Sequence, residues 1–193
     1  MAYGLRQTQK PGAGYQTAGF LELPVMLSVV TTGTVSFFNG DTVSYTLGTG
    51  TTDFGIVIMD SPDTTNKSVG VVVGARWVDG SGTPQWGQNY PAGASNTDVK
   101  VFVAPAADTV FQIQGTNLWN DNQIGTFTAV ADGAGGSLKT GNSSKTATND
   151  VTSTGSFALQ IVDVLRDGSN ETSATPNILV RFNPAAIADV QLG

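Results

Sequence analysis

The sequence predicts an all-β protein: a single compact β-sandwich or barrel-like domain with an extended N-terminal arm and long polar loops. Three observations carry that prediction. Apolar and polar residues alternate at period two in one short run after another, as at Val99, Val101 and Val103. Gly, Ser, Thr and Asn fill the intervals between the runs, and no stretch sustains a helical period over three turns. With 193 residues, 39% of them hydrophobic, the chain has material for one ordinary core, and a second independent core is not expected. No shift in composition marks a linker. The division is therefore an arm, residues 1–19, and a β-rich body, residues 20–193.

The elements follow in order. Residues 34–38 and 42–46 flank Asn39-Gly40-Asp41, a hairpin signal, because Asn and Gly tolerate the positive φ of a tight turn. A Gly/Thr loop leads to the apolar run 54–60, and Ser61-Pro62-Asp63 turns the chain. Residues 69–78 read as a long strand, and the turn 79–82 returns the chain into Thr83–Tyr90, with Trp77 and Trp86 as a candidate cross-strand pair. The stretch 99–115 holds two more strands around the small or polar segment 104–109. Residues 132–150 almost lack large apolar side chains and read as an exposed loop or flexible insertion. Residues 156–165 and 177–183 are strand-like, joined by a polar segment; 115–121 and the stretch after Pro184 read as isolated helical turns.

Residue inventory excludes most chemistry. The chain has no cysteine and no histidine, so it carries no disulfide framework, thiol nucleophile, imidazole relay or imidazole metal ligand. Its glutamates are Glu22 and Glu171, neither in a motif, which leaves a carboxylate glycosidase as a poor rival. The glycine-rich stretches at 48–55 and 132–136 neither open a helix nor precede Lys-Ser/Thr, so they are plain loops rather than phosphate cradles. Asp60 with Asp63, and Asp163 with Asp167, sit at strand ends where Asp forms turns, and no metal or cofactor is expected. The run Phe20–Val30 contains Glu22 and Pro24, which fits neither a signal peptide nor a membrane span. Residues 1–19 hold Arg6 and Lys10 and no acid, whereas the remainder has seven bases against fifteen acids. An acidic body argues against nucleic acid as partner.

Several stretches in one order carry a resemblance: "MAYGLR" at the start, "FFNGDTV", "VGVVVGARWVDGSGTPQWGQNYPAG", "VKVFVAPAADTVFQIQ", and "LQIVDVLRDGSN" with "NILVRFNP". Together they span nearly the whole chain, which resembles head decoration, or capsid cement, proteins of tailed bacteriophages. It departs from that pattern in lacking a proline just after Arg6 and in the polar 132–150 stretch. The resemblance implies a protein without catalytic activity, located on the outer surface of the virion after synthesis in the host cytoplasm. Such a protein binds an expanded shell of HK97-fold major capsid protein, commonly as a homotrimer, and clamps neighbouring subunits against DNA pressure. On this reading the arm is unstructured in the free protein and orders on the capsid, with Tyr3 and Leu5 as apolar anchors and Arg6 and Lys10 as charge partners. Trp86 and Tyr90 are the expected self-association or surface-contact residues. The rival is a tail or fibre-type module binding host glycans through the same two aromatics.

Overall fold

The computed structural model describes residues 4–7, 19–47, 54–59, 61–107, 109–116, 119, 121–131, 135–165 and 175–188. Twelve strands run through them: β1 (Arg6–Gln7), β2 (Leu21–Pro24), β3 (Thr42–Leu47), β4 (Phe54–Met59), β5 (Gly70–Val78), β6 (Pro84–Gly87), β7 (Thr97–Pro105), β8 (Val110–Gln114), β9 (Phe127–Ala131), β10 (Thr146–Thr152), β11 (Leu159–Val164) and β12 (Asn177–Phe182). They form two antiparallel sheets that pack together as an all-β sandwich. The first runs β1-β8-β12-β11-β9-β10; the second runs β2-β7-β5-β3-β4, with β6 paired to β5. Period-two alternation decides which face each strand buries. In β8 and β9 every second side chain is buried, so Phe111, Ile113, Thr128 and Val130 point inward while their neighbours stay half-exposed.

Each sheet curls around its own apolar cluster without closing into a barrel. In the first, a parallel bridge between Gly115 and Ala147 draws the end of β8 toward β10. In the second, Val25 bridges Ile56, which brings the end of β2 against β4. The first cluster includes Leu5, Phe111, Ile113, Trp119, Leu159, Ile161, Ile178 and Phe182; the second includes Leu23, Phe37, Val43, Ile56, Val72, Tyr90, Val101 and Val103. The sheets meet where Val71, Ala104 and Ala106, in or just after strands of the second, join the core of the first. Burial thus divides the expected single core in two, a partition that composition cannot reveal. A short helix, α1 (Leu27–Thr32), inserts Val30 into the second core and ends on Gly33 at φ 60, a left-handed conformation that glycine adopts without strain. The sequence predicts no helix there.

Several local expectations are corrected. Asn39-Gly40-Asp41 does turn the chain: the Asp41 carboxylate accepts from the Phe38 N–H at 2.8 Å, with Gly40 at φ 97. The residues before it do not pair with β3, however. Phe37 instead exchanges backbone hydrogen bonds with Tyr90 at 3.0 and 2.8 Å, and β3 forms its hairpin with β4. Trp77 lies opposite Gln85 and Trp86 opposite Arg76, so the two indoles project from opposite faces and do not pair. The polar 132–150 stretch is largely built in: residues 135–145 pack with Ser143 and Lys145 buried, and β10 pairs with β9. Small side chains permit this, since a Cβ on Gly136 would strike the Phe38 ring, and hydroxyls satisfy the backbone, as where Thr128 Oγ1 donates to the Thr148 carbonyl at 2.6 Å. The stretch after Pro184 holds the expected turn, a single 3₁₀ turn at Pro184–Ala186, whereas Gly115 sits in a β-bridge and the other 3₁₀ turn falls later than expected, at Asp121–Gln123.

Candidate functional site

The N-terminal arm enters the fold at Gly4. There φ is +67, and a Cβ would lie 2.7 Å from both the Gly40 carbonyl oxygen and the Ser143 Cβ, so glycine alone fits that approach. Leu5 donates its N–H to Gly40 O at 3.2 Å and buries its side chain completely, at 0% exposure, in the first core. Arg6 and Gln7 then pair with Gln112 and Phe111 as the edge strand of the first sheet, both side chains exposed. This corrects the expectation for Leu5: a side chain enclosed by its own core is not an anchor for another protein, and the arm is ordered from residue 4 to residue 7 within its own sheet. Tyr3 and Lys10 lie outside the described residues. Arg6 stands at the surface.

The two expected contact aromatics part company. Trp86 is 67% exposed on β6, at the edge of the second sheet. Tyr90 is 1% exposed and is corrected to a core residue. Its ring meets Trp77 edge-on at 5.6 Å and Phe37 at 6.3 Å, and its hydroxyl accepts from Asn96 Nδ2 at 3.3 Å. Backbone pairing with Phe37 turns Tyr90 inward, a long-range contact that no local pattern announces.

Charged groups organise two surface features near Trp86. Arg76, its register partner, contacts Glu22 at 2.7 Å and Asp98 at 3.0 Å, and Lys100 contacts Glu22 at 3.4 Å, giving a four-residue lattice across β2, β5 and β7. The hydrogen bond from Arg76 holds the Glu22 carboxyl below its ordinary pKa and, reciprocally, raises that of the guanidinium. Such exposed pairs set register more than they add stability. At the β5–β6 turn, Asp79 accepts from the Ser81 hydroxyl and the Thr83 N–H, at 2.6 and 3.0 Å, and its pKa is lowered to about 2, the Ser81 hydrogen bond being the largest cause. Asp63 serves a turn as expected, accepting backbone N–H bonds from Thr65 and Asn66, and its pKa is lowered chiefly by the latter. Asp163 accepts from the adjacent Val164 N–H at 2.9 Å, while Asp60, Asp167 and Glu171 lie outside the described residues.

An open cleft of about 420 Å³ lies beside β1, lined by Arg6, Gln7, Asn39, Val73, Gln88 and Asn142. Four segments far apart in the chain converge on it with β5. The parallel bridge between Asn39 and Asn142 holds two of its side chains in register, through Asn39 N–H to Gly141 O at 2.9 Å and Ser143 N–H to Asn39 O at 2.8 Å. Gln88 packs against the same turn, where a Cβ on Gly141 would stand 3.2 Å from its own. Sequence reasoning found only Arg6 of this lining. The Asn39-Gly40 turn was the one visible signal, and nothing local relates it to Gln88 or Asn142. Comparison of the chain with protein-family models, curated proteins and solved structures finds no match.

Proposed function

We propose that this chain is a decoration protein of a tailed-phage head, binding the outer surface of an expanded HK97-fold shell and clamping neighbouring capsid subunits. The order of motifs along the chain motivates the reading. The observation that carries it is the rooted arm: Leu5 and Gly4 lock the start of the chain to a rigid sheet and leave Arg6 outward on an edge strand. A body with seven bases against fifteen acids, net charge −8, so displays a basic arm from a fixed point. Fixing the root lowers the conformational entropy lost when the remainder of the arm docks. Among the described strands β1 is the outermost of its sheet, the position at which a capsid strand adds by main-chain hydrogen bonds. Three arms on a trimer engage together and gain about 10² to 10⁴ in avidity. Because the clamp binds assembled shell and not separated subunits, it stabilises the shell by mass action.

The experiment is a rupture curve. Expanded heads of the encoding phage, stripped of this protein, are heated with and without it. A rise in rupture temperature that saturates with added protein supports the proposal, and coincident curves at saturating protein refute it.

A further inference from the structure

We propose that the cleft beside β1, together with Trp86, binds a neutral oligosaccharide, a capacity beyond capsid binding that draws on Trp86, Asn39, Gln88 and Asn142, all outside the arm, as well as on Gln7. The lining chemistry selects the ligand class. Of the six described residues that line it, four carry carboxamides: Gln7, Asn39, Gln88 and Asn142. Each carboxamide offers a donor and an acceptor from one rigid group, which matches neighbouring sugar hydroxyls that are themselves both donor and acceptor. Among the described residues, no hydrogen bond within the protein uses any of these four groups, so they face the cleft available for a ligand.

Other ligand classes fit poorly. Among the described residues no carboxylate lines the cleft, which disfavours a cation, and Val73 is the one apolar side chain in that lining, which disfavours an apolar guest. Among the described lining residues Arg6 is the single cation, on a protein of net charge −6, which disfavours a polyanion. The volume, about 420 Å³, lies within the range of small-ligand sites.

Trp86 supplies what the carboxamides lack. A pyranose has an apolar face of C–H groups as well as hydroxyl edges, and an exposed indole offers that face a flat apolar surface. The Trp86 indole is 67% exposed, and Gln88 lies two residues further along the chain, no more than about 7 Å of backbone away. A ligand longer than one sugar unit stacks on Trp86 and hydrogen-bonds in the cleft. Both parts are held before binding: Trp86 by pairing of β6 with β5, and Asn39 and Asn142 by their mutual bridge.

The test uses the full chain and linear hexaoses of β-1,4-glucose, α-1,4-glucose, mannose, galactose and N-acetylglucosamine, titrated by calorimetry and tryptophan fluorescence. Trp77 and Trp119 are half-buried and buried, so the Trp86 signal is separable by Trp86→Ala. The proposal requires that at least one hexaose bind saturably below about 10 mM, and that Trp86→Ala and Asn142→Ala each weaken it about tenfold with the far-ultraviolet spectrum unchanged. No saturable binding, or binding that either variant leaves intact, overturns it. Failure of this test leaves head stabilisation as it was, since neither Trp86 nor Asn142 belongs to the arm; failure of the rupture experiment leaves the sugar titration as it was.

Discussion

The two cores of this molecule are assembled differently. The second is built almost entirely from one continuous half of the chain, from Leu23 to Val103. The first is built from the other half, Ala104 to Ala186, and then borrows Leu5 and Val71. The loan is reciprocal near the C-terminus: Ser68 donates to Ala186 O at 2.8 Å and accepts from Ala188 N–H at 2.9 Å, and Ala188 packs against the second core. Each half therefore finishes its core with a piece of the other. The lesson is that two sheets which curl separately are stitched at both ends of the chain, and the arm proposed to meet the capsid starts from one stitch.

The largest effect is expected from Phe111→Ala, which empties the centre of the first core and removes an edge-on contact with Phe182 at 5.7 Å. It should lower unfolding free energy by about 3–5 kcal/mol in a denaturant titration. Leu5→Ala comes next, at about 2–5 kcal/mol. This variant separates a rooted arm from a detached one, because a Leu5 outside the core would leave the midpoint where it was. If stitching couples the halves, both variants shift a single transition monitored at Trp77 in the second core and Trp119 in the first; two resolved transitions would show the halves unfolding apart.

Tyr90→Phe is a smaller change in the second core. It deletes the hydroxyl that accepts from Asn96 and keeps the ring against Trp77, so the expected loss is about 0.5–1.5 kcal/mol. Were Tyr90 a surface contact, the loss would vanish and association would change instead. The smallest effect is local and acid-dependent. The folded-state pKa of Asp79, about 2, lies below its ordinary value of 3.8, so the turn gains from the ionised carboxylate above the ordinary value and loses that gain as pH falls through about 2. A carboxyl titration followed by NMR should place the Asp79 midpoint near 2, and Ser81→Ala should raise it.

Much of the fold was legible in the sequence, and the illegible part has a common cause. Strands β5, β7, β8 and β12 were found close to their observed limits because one buried face imposes period two. Partners were not legible. Residues 34–38 alternate like a strand yet pair with Tyr90 at a single bridge, and nothing in residues 132–150 says that Gly136 lies on Phe38. Small and polar residues packed by backbone approach look like loops when read alone. The same holds for the site. Arg6 and Trp86 were found because exposed charge and exposed aromatics stand out, whereas Leu5 and Tyr90 were placed on the surface because burial follows from contacts far along the chain. The cleft itself is not legible in the sequence: Asn39 reads only as a turn residue, and only folding brings Asn39, Gln88 and Asn142 together.

Deleting residues 2–10 would remove Leu5 with the arm and disturb the first core, so the arm is better tested by charge. The decisive measurement is co-sedimentation of the wild-type chain and of the Arg6→Glu, Lys10→Glu variant with expanded heads that lack this protein. A rooted basic arm that clamps the shell predicts saturable binding of the wild type and at least about tenfold weaker binding of the variant, with unchanged thermal unfolding of the free protein. Failure of the wild type to saturate the heads, or equal binding by both chains, would contradict it.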